Sequence, residues 1–196
     1  SFLVNGILVM LMAAGFCMLE SGMVRSKSVA TICTKNIVLY SIAGLLYFLI
    51  GYNLMYNNVN GGFIGSLEIF NVVDPAQESA EGGYAAASDW FFQMVFVATA
   101  ASIVSGAVAE RVKLWSFLTV VVALTAIIYP IQGSWTWGGG WLSDLGFSDF
   151  AGSTIVHSVG GWCALVGCIV LGARKGKYLE GGKVNPIQAS SLPLAT

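Results

Sequence analysis

The chain has 196 residues, of which 56% are hydrophobic, 10% charged and 24 glycine, with a mean hydropathy of +0.76. A water-soluble domain of this length carries about 25% charged residues, or roughly 49; here nine Lys and Arg stand beside ten Asp and Glu. Disorder, collagen and a disulfide-rich secreted module are excluded, and the pattern is that of an all-α integral membrane protein.

A transmembrane helix needs about 20 apolar residues. Five stretches qualify: 2–24, 33–56, 89–109, 114–133 and 150–173. None alternates with the period of a membrane β-strand, and no soluble domain fits in what remains. The first stretch carries Glu20, five residues before Arg25. It reads either as a proton or cation site or as an acid bonded to backbone at a helix end. The structural reading is preferred, because only Ser21 and the later basic residues stand within helical reach. Arg25, Lys27 and Lys35 then lead into the second stretch. The loop that follows carries Glu68, Asp74, Glu78 and Glu81, with Asp89 at its end, and no basic residue occurs from Asn36 to Glu110.

In the third stretch Phe92 and Phe96 are four apart, so a helix stacks them on one face. Glu110, Arg111 and Lys113 close it, with the first two read as a cap and ion-pair cluster. Between the fourth and fifth stretches Trp135, Trp137 and Trp141 surround three consecutive glycines, 138–140. These rings read equally as an interfacial aromatic belt or as an outer vestibule where an indole face attracts a cation. The fifth stretch holds His157, the sole histidine. A helix face drawn from Asp149 runs through Gly152, Ser153, Val156, His157, Gly160, Gly161, Ala164 and Cys168, a small-residue stripe around one imidazole. Such stripes let helix backbones approach closely; a histidine at membrane depth also marks a pathway, and the pathway reading is preferred. Cys17, Cys33, Cys163 and Cys168 lie in or beside apolar runs without a CxxC pair and read as small hydrophobes.

If the spans alternate, all nine basic residues fall on one face, which the positive-inside rule makes cytoplasmic. The N-terminus is then outside and the C-terminus inside. The chain starts at Ser1 with an immediate apolar run and no Met, so the expectation is that residues such as a cleaved signal precede it. Asp149 and His157, eight apart on a helix, are separated by about 12 Å of axial rise, too far for an acid–base pair. With no P-loop, dinucleotide fingerprint or metal-spaced cluster, no enzyme activity, cofactor or metal is expected, and the basic flanks are not a nucleic-acid surface.

Four segments carry a resemblance: DFAGSTIVHSVGGWCALVGCIVLGAR at 149–174, GAVAERVK at 106–113, TWGGGW at 136–141 and GFCMLESGMVRSK at 15–27. In order and spacing they are similar to the ammonium transporter (Amt/Rh) family. The resemblance implies eleven transmembrane helices, as two inverted five-helix repeats and a final helix, assembled as a homotrimer. This chain would supply the first repeat, leaving the second repeat to complete the pore. Trp137 matches the tryptophan of the outer ammonium-recruitment site, and Asp149 the acid that organises it. Phe96 matches one ring of the phenylalanine gate, with Phe92 one turn outward, and His157 matches the first pore histidine. Glu20 stands where many members carry another residue and receives no family role. The implied function is selective ammonium/ammonia transport across the bilayer, by deprotonation outside and passage of ammonia, with a PII-type regulator as a partner. The alternatives are an ammonium sensor coupled to a cytoplasmic signalling domain, and a purely structural membrane protein.

Overall fold

Residues 1–59, 61–69 and 84–196 are described by the structure, a computed structural model. Five helices are long and apolar enough to cross a membrane: α1 (Phe2–Met23), α2 (Ser26–Tyr56), α3 (Ala86–Ala107), α4 (Leu114–Ser134) and α5 (Ser153–Leu171). Among the described residues no sheet forms; the one β-bridge joins Tyr178 and Val184. Asp74, Glu78 and Glu81, expected in the longest loop, lie outside the described residues.

The helix ends depart from the apolar stretches for local reasons. α2 begins at Ser26, seven residues before the apolar run, because Ser26–Ser28 form a 3₁₀ turn that feeds directly into the helix. α3 starts at Ala86, and Asp89 therefore lies within its first turn, where negative charge is favoured. It stops at Ala107, and Glu110 three residues later adopts a positive φ of 60°. α5 begins at Ser153 and not at 150, because residues before it form a cap described below.

Helix α3 is the centre of the bundle. Val95, Val97, Ala98, Ala100 and Ala101 are all buried, so small and branched side chains line the axis on which the others pack. In lipid, apolar surface gains nothing from leaving one hydrocarbon for another, so close backbone approach and dispersion hold helices together. Gly160 of α5 illustrates this: a Cβ there would lie 2.8 Å from the Ala100 carbonyl oxygen and 3.0 Å from the Ile103 Cβ on α3. Only glycine permits that crossing. The outward surfaces of α1 and α5 are bulky and apolar, with Val4 64%, Ile169 72% and Val170 77% exposed.

Three of the helices contain one wide π-turn each: Tyr47–Gly51 in α2, Leu124–Ile128 in α4 and Ser153–Ser158 at the start of α5. That of α4 immediately precedes Pro130, which has no N–H to donate and would clash with the carbonyl four residues back. Widening the turn there accommodates the ring inside a continuous span. The turns of α2 and α4 pack together around Tyr47 and Tyr129, both fully buried.

Candidate functional site

The start of α5 is built by one carboxylate. Asp149 Oδ1 accepts the backbone N–H groups of Gly152 (2.9 Å) and Ser153 (3.1 Å), and Oδ2 those of Thr154 and Ile155 (both 2.8 Å). These are the amides a helix start leaves without partners. Partial burial alone would raise the Asp149 carboxyl, but the four N–H donors, Ile155 and Thr154 foremost, outweigh it and hold it below the ordinary carboxylate value. Gly152, at φ +82°, makes the left-handed turn that brings the chain from the acid into the helix. Asp149 thus precedes α5 and does not share its face, which corrects the stripe expected from the sequence.

The stripe also divides. Gly152, Val156, Gly160 and Ala164 are buried, Gly160 against α3, whereas Ser153, His157 and Gly161 are exposed. The π-turn sets this offset. The Gly152 carbonyl accepts both the Val156 N–H (2.9 Å) and the His157 N–H (3.1 Å), and it also lies 3.2 Å from His157 Nδ1. A carbonyl can only accept, so that ring contact requires the proton on Nδ1. In the neutral imidazole Nε2 is then the acceptor.

The loop before the cap carries the aromatic residues. Trp137 donates its indole N–H to the Asp149 backbone carbonyl at 2.6 Å, and its ring lies 6.1 Å from that of Phe96 at 63°. Phe96 meets Phe92 edge-on at 5.1 Å. Trp135 and Trp141 turn the other way: the Trp135 indole N–H donates to the Phe63 carbonyl at 2.8 Å, and Trp141 packs on the Phe63 ring at 5.5 Å. The Trp141 N–H to Gly62 carbonyl and Gly61 N–H to Gly139 carbonyl bonds lock these two loops together. Of the three tryptophans only Trp137 faces the cavity, a volume of about 520 Å³ walled by Tyr56, Asp89, Phe92, Phe96 and Trp137 among others.

The structure sets Trp137 against Phe96 and the Asp149 carbonyl, Phe92 against Phe96, and His157 in the first turn of α5 after the cap; apart from the Phe92–Phe96 pair, the sequence alone did not bring them together. It missed Asp89 as a wall residue. Asp89 is 6% exposed and accepts the Tyr52 hydroxyl at 2.7 Å. The signal was available, since 89, 92 or 93, and 96 share one face of a helix.

At the opposite end, Glu110 joins three elements. Its Oε1 accepts from Arg25 Nε (2.9 Å) and Ser28 Oγ (2.9 Å), and Oε2 from Arg174 (3.0 Å). Burial opposes the charge, but these donors overcome it and hold the carboxyl down at about 2. Arg111 bonds the carbonyls of Gly172 and Ala107. Lys35, grouped with the basic flank from the sequence, is instead inside the bundle. Its ammonium lies 3.2 Å from Glu20 Oε2, 2.8 Å from the Ser105 carbonyl and 4.9 Å from the Phe117 ring centre. Glu20 therefore has a charged partner on another helix, which spacing along α1 could not reveal.

Residues 1–196 match the family model described as Ammonium Transporter Family. Ammonium transporter Amt2 of Archaeoglobus fulgidus is 41% identical over 203 residues, covering 98% of this chain and 42% of that protein. A solved structure described as a Sensor Amt Protein superposes with a TM-score of 0.90 at 40% identity, over 99% of this chain and 49% of its own. The crystal structure of Candida albicans Mep2 gives 0.83 at 28% identity, over 99% and 43%. The chain thus spans less than half the length of each protein it matches here. With its five membrane-length helices, the chain is multi-pass and carries the N-terminal half of the fold these relatives share: it belongs to the ammonium transporter family.

Proposed function

We propose that this chain forms half of a passage that moves ammonium nitrogen across the membrane as ammonia. The observation that carries the reading is the continuous arrangement of Trp137, Phe96 and Phe92 beside the Asp149-capped helix, with His157 on that helix's open side, in a member of this family.

Ammonium and potassium are alike in size and charge, and differ in that ammonium can release a proton. Trp137 offers an aromatic face for the cation, on a ring whose N–H is already bonded to Asp149 and so held in one pose. Asp149 organises the site: its carboxylate is used up by four amides. Phe96 and Phe92 form an apolar barrier that an intact ion crosses only at high cost, while neutral ammonia crosses more readily. Past that barrier, His157 Nε2 accepts an N–H of the permeating molecule. His157 is open on this chain, where the second repeat would cover it. The N-terminus is placed outside, with Arg25, Lys27, Arg111, Lys113, Arg174, Lys175, Lys177 and Lys183 flanking the cytoplasmic face; a homotrimer and a PII-type regulator on that face complete the proposal.

The test is flux and current in liposomes containing the complete gene product. Ammonium is expected to pass with little potassium, and His157→Ala to lower the rate at least tenfold. Equal passage of potassium, or an unchanged rate in His157→Ala, would end this reading. A second reading is ammonium sensing, favoured by the likeness to the Sensor Amt Protein. A signalling domain encoded beyond Thr196 would select it.

A further inference from the structure

The outer cavity has a counterpart at the other end of the bundle. A second cavity, of about 430 Å³, is walled by Phe16 and Glu20 of α1, Ile103 and Gly106 of α3, and Arg111 and Arg174. One face of α3 serves both: Phe92 and Phe96 border the outer cavity, Ile103 and Ala107 the inner, in helical steps of four, seven and four. Phe96 and Gly106 are separated by about 15 Å along the axis. Ile103 is also the residue on which Gly160 closes, less than one turn past His157.

Glu20 is the unusual feature of this inner wall. Its side chain is 2% exposed. Oε2 takes the Ser105 hydroxyl at 2.7 Å and the Lys35 ammonium at 3.2 Å. Oε1 has no partner among the described residues, although a carboxylate oxygen carries two acceptor sites and leaving one empty in a buried place is costly. Gly106 lies alongside, where an added Cβ would stand 3.6 Å from Glu20 Cγ. The charges around the cavity decide what fits. Lys35 balances Glu20, and Arg25 and Arg174 bind Glu110, while Arg111 is held by two carbonyls. Four bases against two acids disfavour a resident metal cation and suit a small neutral N–H donor.

We propose that Glu20 Oε1 is the inner acceptor for ammonia leaving the passage, a site that rests on the transport reading above. Lys35 keeps the carboxylate from acting as a cation trap, so the molecule is held by one hydrogen bond and released. The site would make Glu20 a binding residue for the permeant in addition to its place in the bundle.

The complete gene product is reconstituted in liposomes sorted for one orientation, ammonium chloride is applied from either side, and an enclosed pH dye reports flux. The double variant Glu20→Leu with Lys35→Met removes both charges together. Its half-saturation for ammonium applied at the inner face is expected to rise about tenfold, the worth of one charged hydrogen bond, with the outer value within twofold. Gly106→Ala leaves every charge in place, adds a methyl at ordinary contact distance, and is expected to move the inner value in the same direction. An unchanged inner half-saturation in Gly106→Ala and in any folded double variant overturns the proposal while leaving transport intact. Absence of ammonium flux in the unmodified protein overturns both.

Discussion

Replacing Asp149 by alanine should loosen the start of α5 in a way that can be sized from its partners. The carboxylate accepts four amides. Ser153 and Thr154 are exposed and can turn to water, whereas Gly152 and Ile155 are buried. Two buried amides left without an acceptor cost about 1–3 kcal/mol each, and losing a helix cap costs about 0.5–2 kcal/mol in other proteins. Since these overlap, we expect about 3 kcal/mol, or a fall in Tm of roughly 6–12 °C for a chain of this size. Asp149→Asn keeps one acceptor oxygen and should lose about half of that. The assay is thermal unfolding in detergent, with hydrogen exchange at the amides of 152–155 as the local readout. Because Trp137 donates to the Asp149 carbonyl, its fluorescence should shift with the same variant. Folding holds the Asp149 carboxyl below its ordinary value of 3.8, so its contribution is complete above that pH and is lost as pH falls through the lowered value. An alanine variant that keeps its Tm within about 2 °C and its exchange protection unchanged would refute the reasoning.

Three further outcomes can be checked. Glu110, held at about 2 against an ordinary 4.5, should contribute roughly 3 kcal/mol above pH 4.5 and lose it as pH falls toward 2; Glu110→Gln should flatten that part of an acid-denaturation profile. Lys35→Met alone leaves Glu20 buried without its counter-charge and should destabilise by about 3–5 kcal/mol, with the additional Glu20→Leu change restoring most of the loss in the same unfolding assay. Gly160→Val should force α3 and α5 apart, costing about 1–3 kcal/mol, and a Tm equal to that of the unmodified protein would show the crossing to be looser than the 2.8 Å contact implies.

How much of this was legible beforehand depends on whether the cause was local. Apolar runs located the spans because a bilayer imposes length and composition on each helix separately. The contact of Phe92 with Phe96 followed from helical spacing, while Trp137, Asp149 and His157 were singled out only by the resemblance their motifs carry. What escaped was decided between helices. Lys35 looked like a flank residue because its partner Glu20 lies fifteen positions away on another helix, and Asp89 looked like a loop acid because Tyr52 is supplied by α2. The α5 stripe was misread because hydrophobicity does not distinguish a capped turn at 149–152 from helix, nor does it register a π-turn. Asp149 therefore shifted from a position on the helix to the residue that starts it.

Each π-turn is, in effect, one extra residue lodged in a helix. In a regular helix one residue turns the chain by about 100°. Deleting one residue from 47–51 would return α2 to regular helix with little effect downstream, because the wide turn already absorbs it, whereas a deletion from the regular part of α2 would swing Tyr52 and the 61–63 loop around the axis by that amount. A deletion from the regular part of α4, outside 124–128, would do the same to Pro130 and the loop bearing Trp135, Trp137 and Trp141. Those two loops are bonded to each other through Gly61, Gly62, Gly139 and Trp141, so neither can rotate alone. The length of the chain between membrane faces is thus a variable that aims the outer aromatic ring, and a one-residue change in α2 or α4 would be tolerated where a wide turn is gained or lost to absorb it.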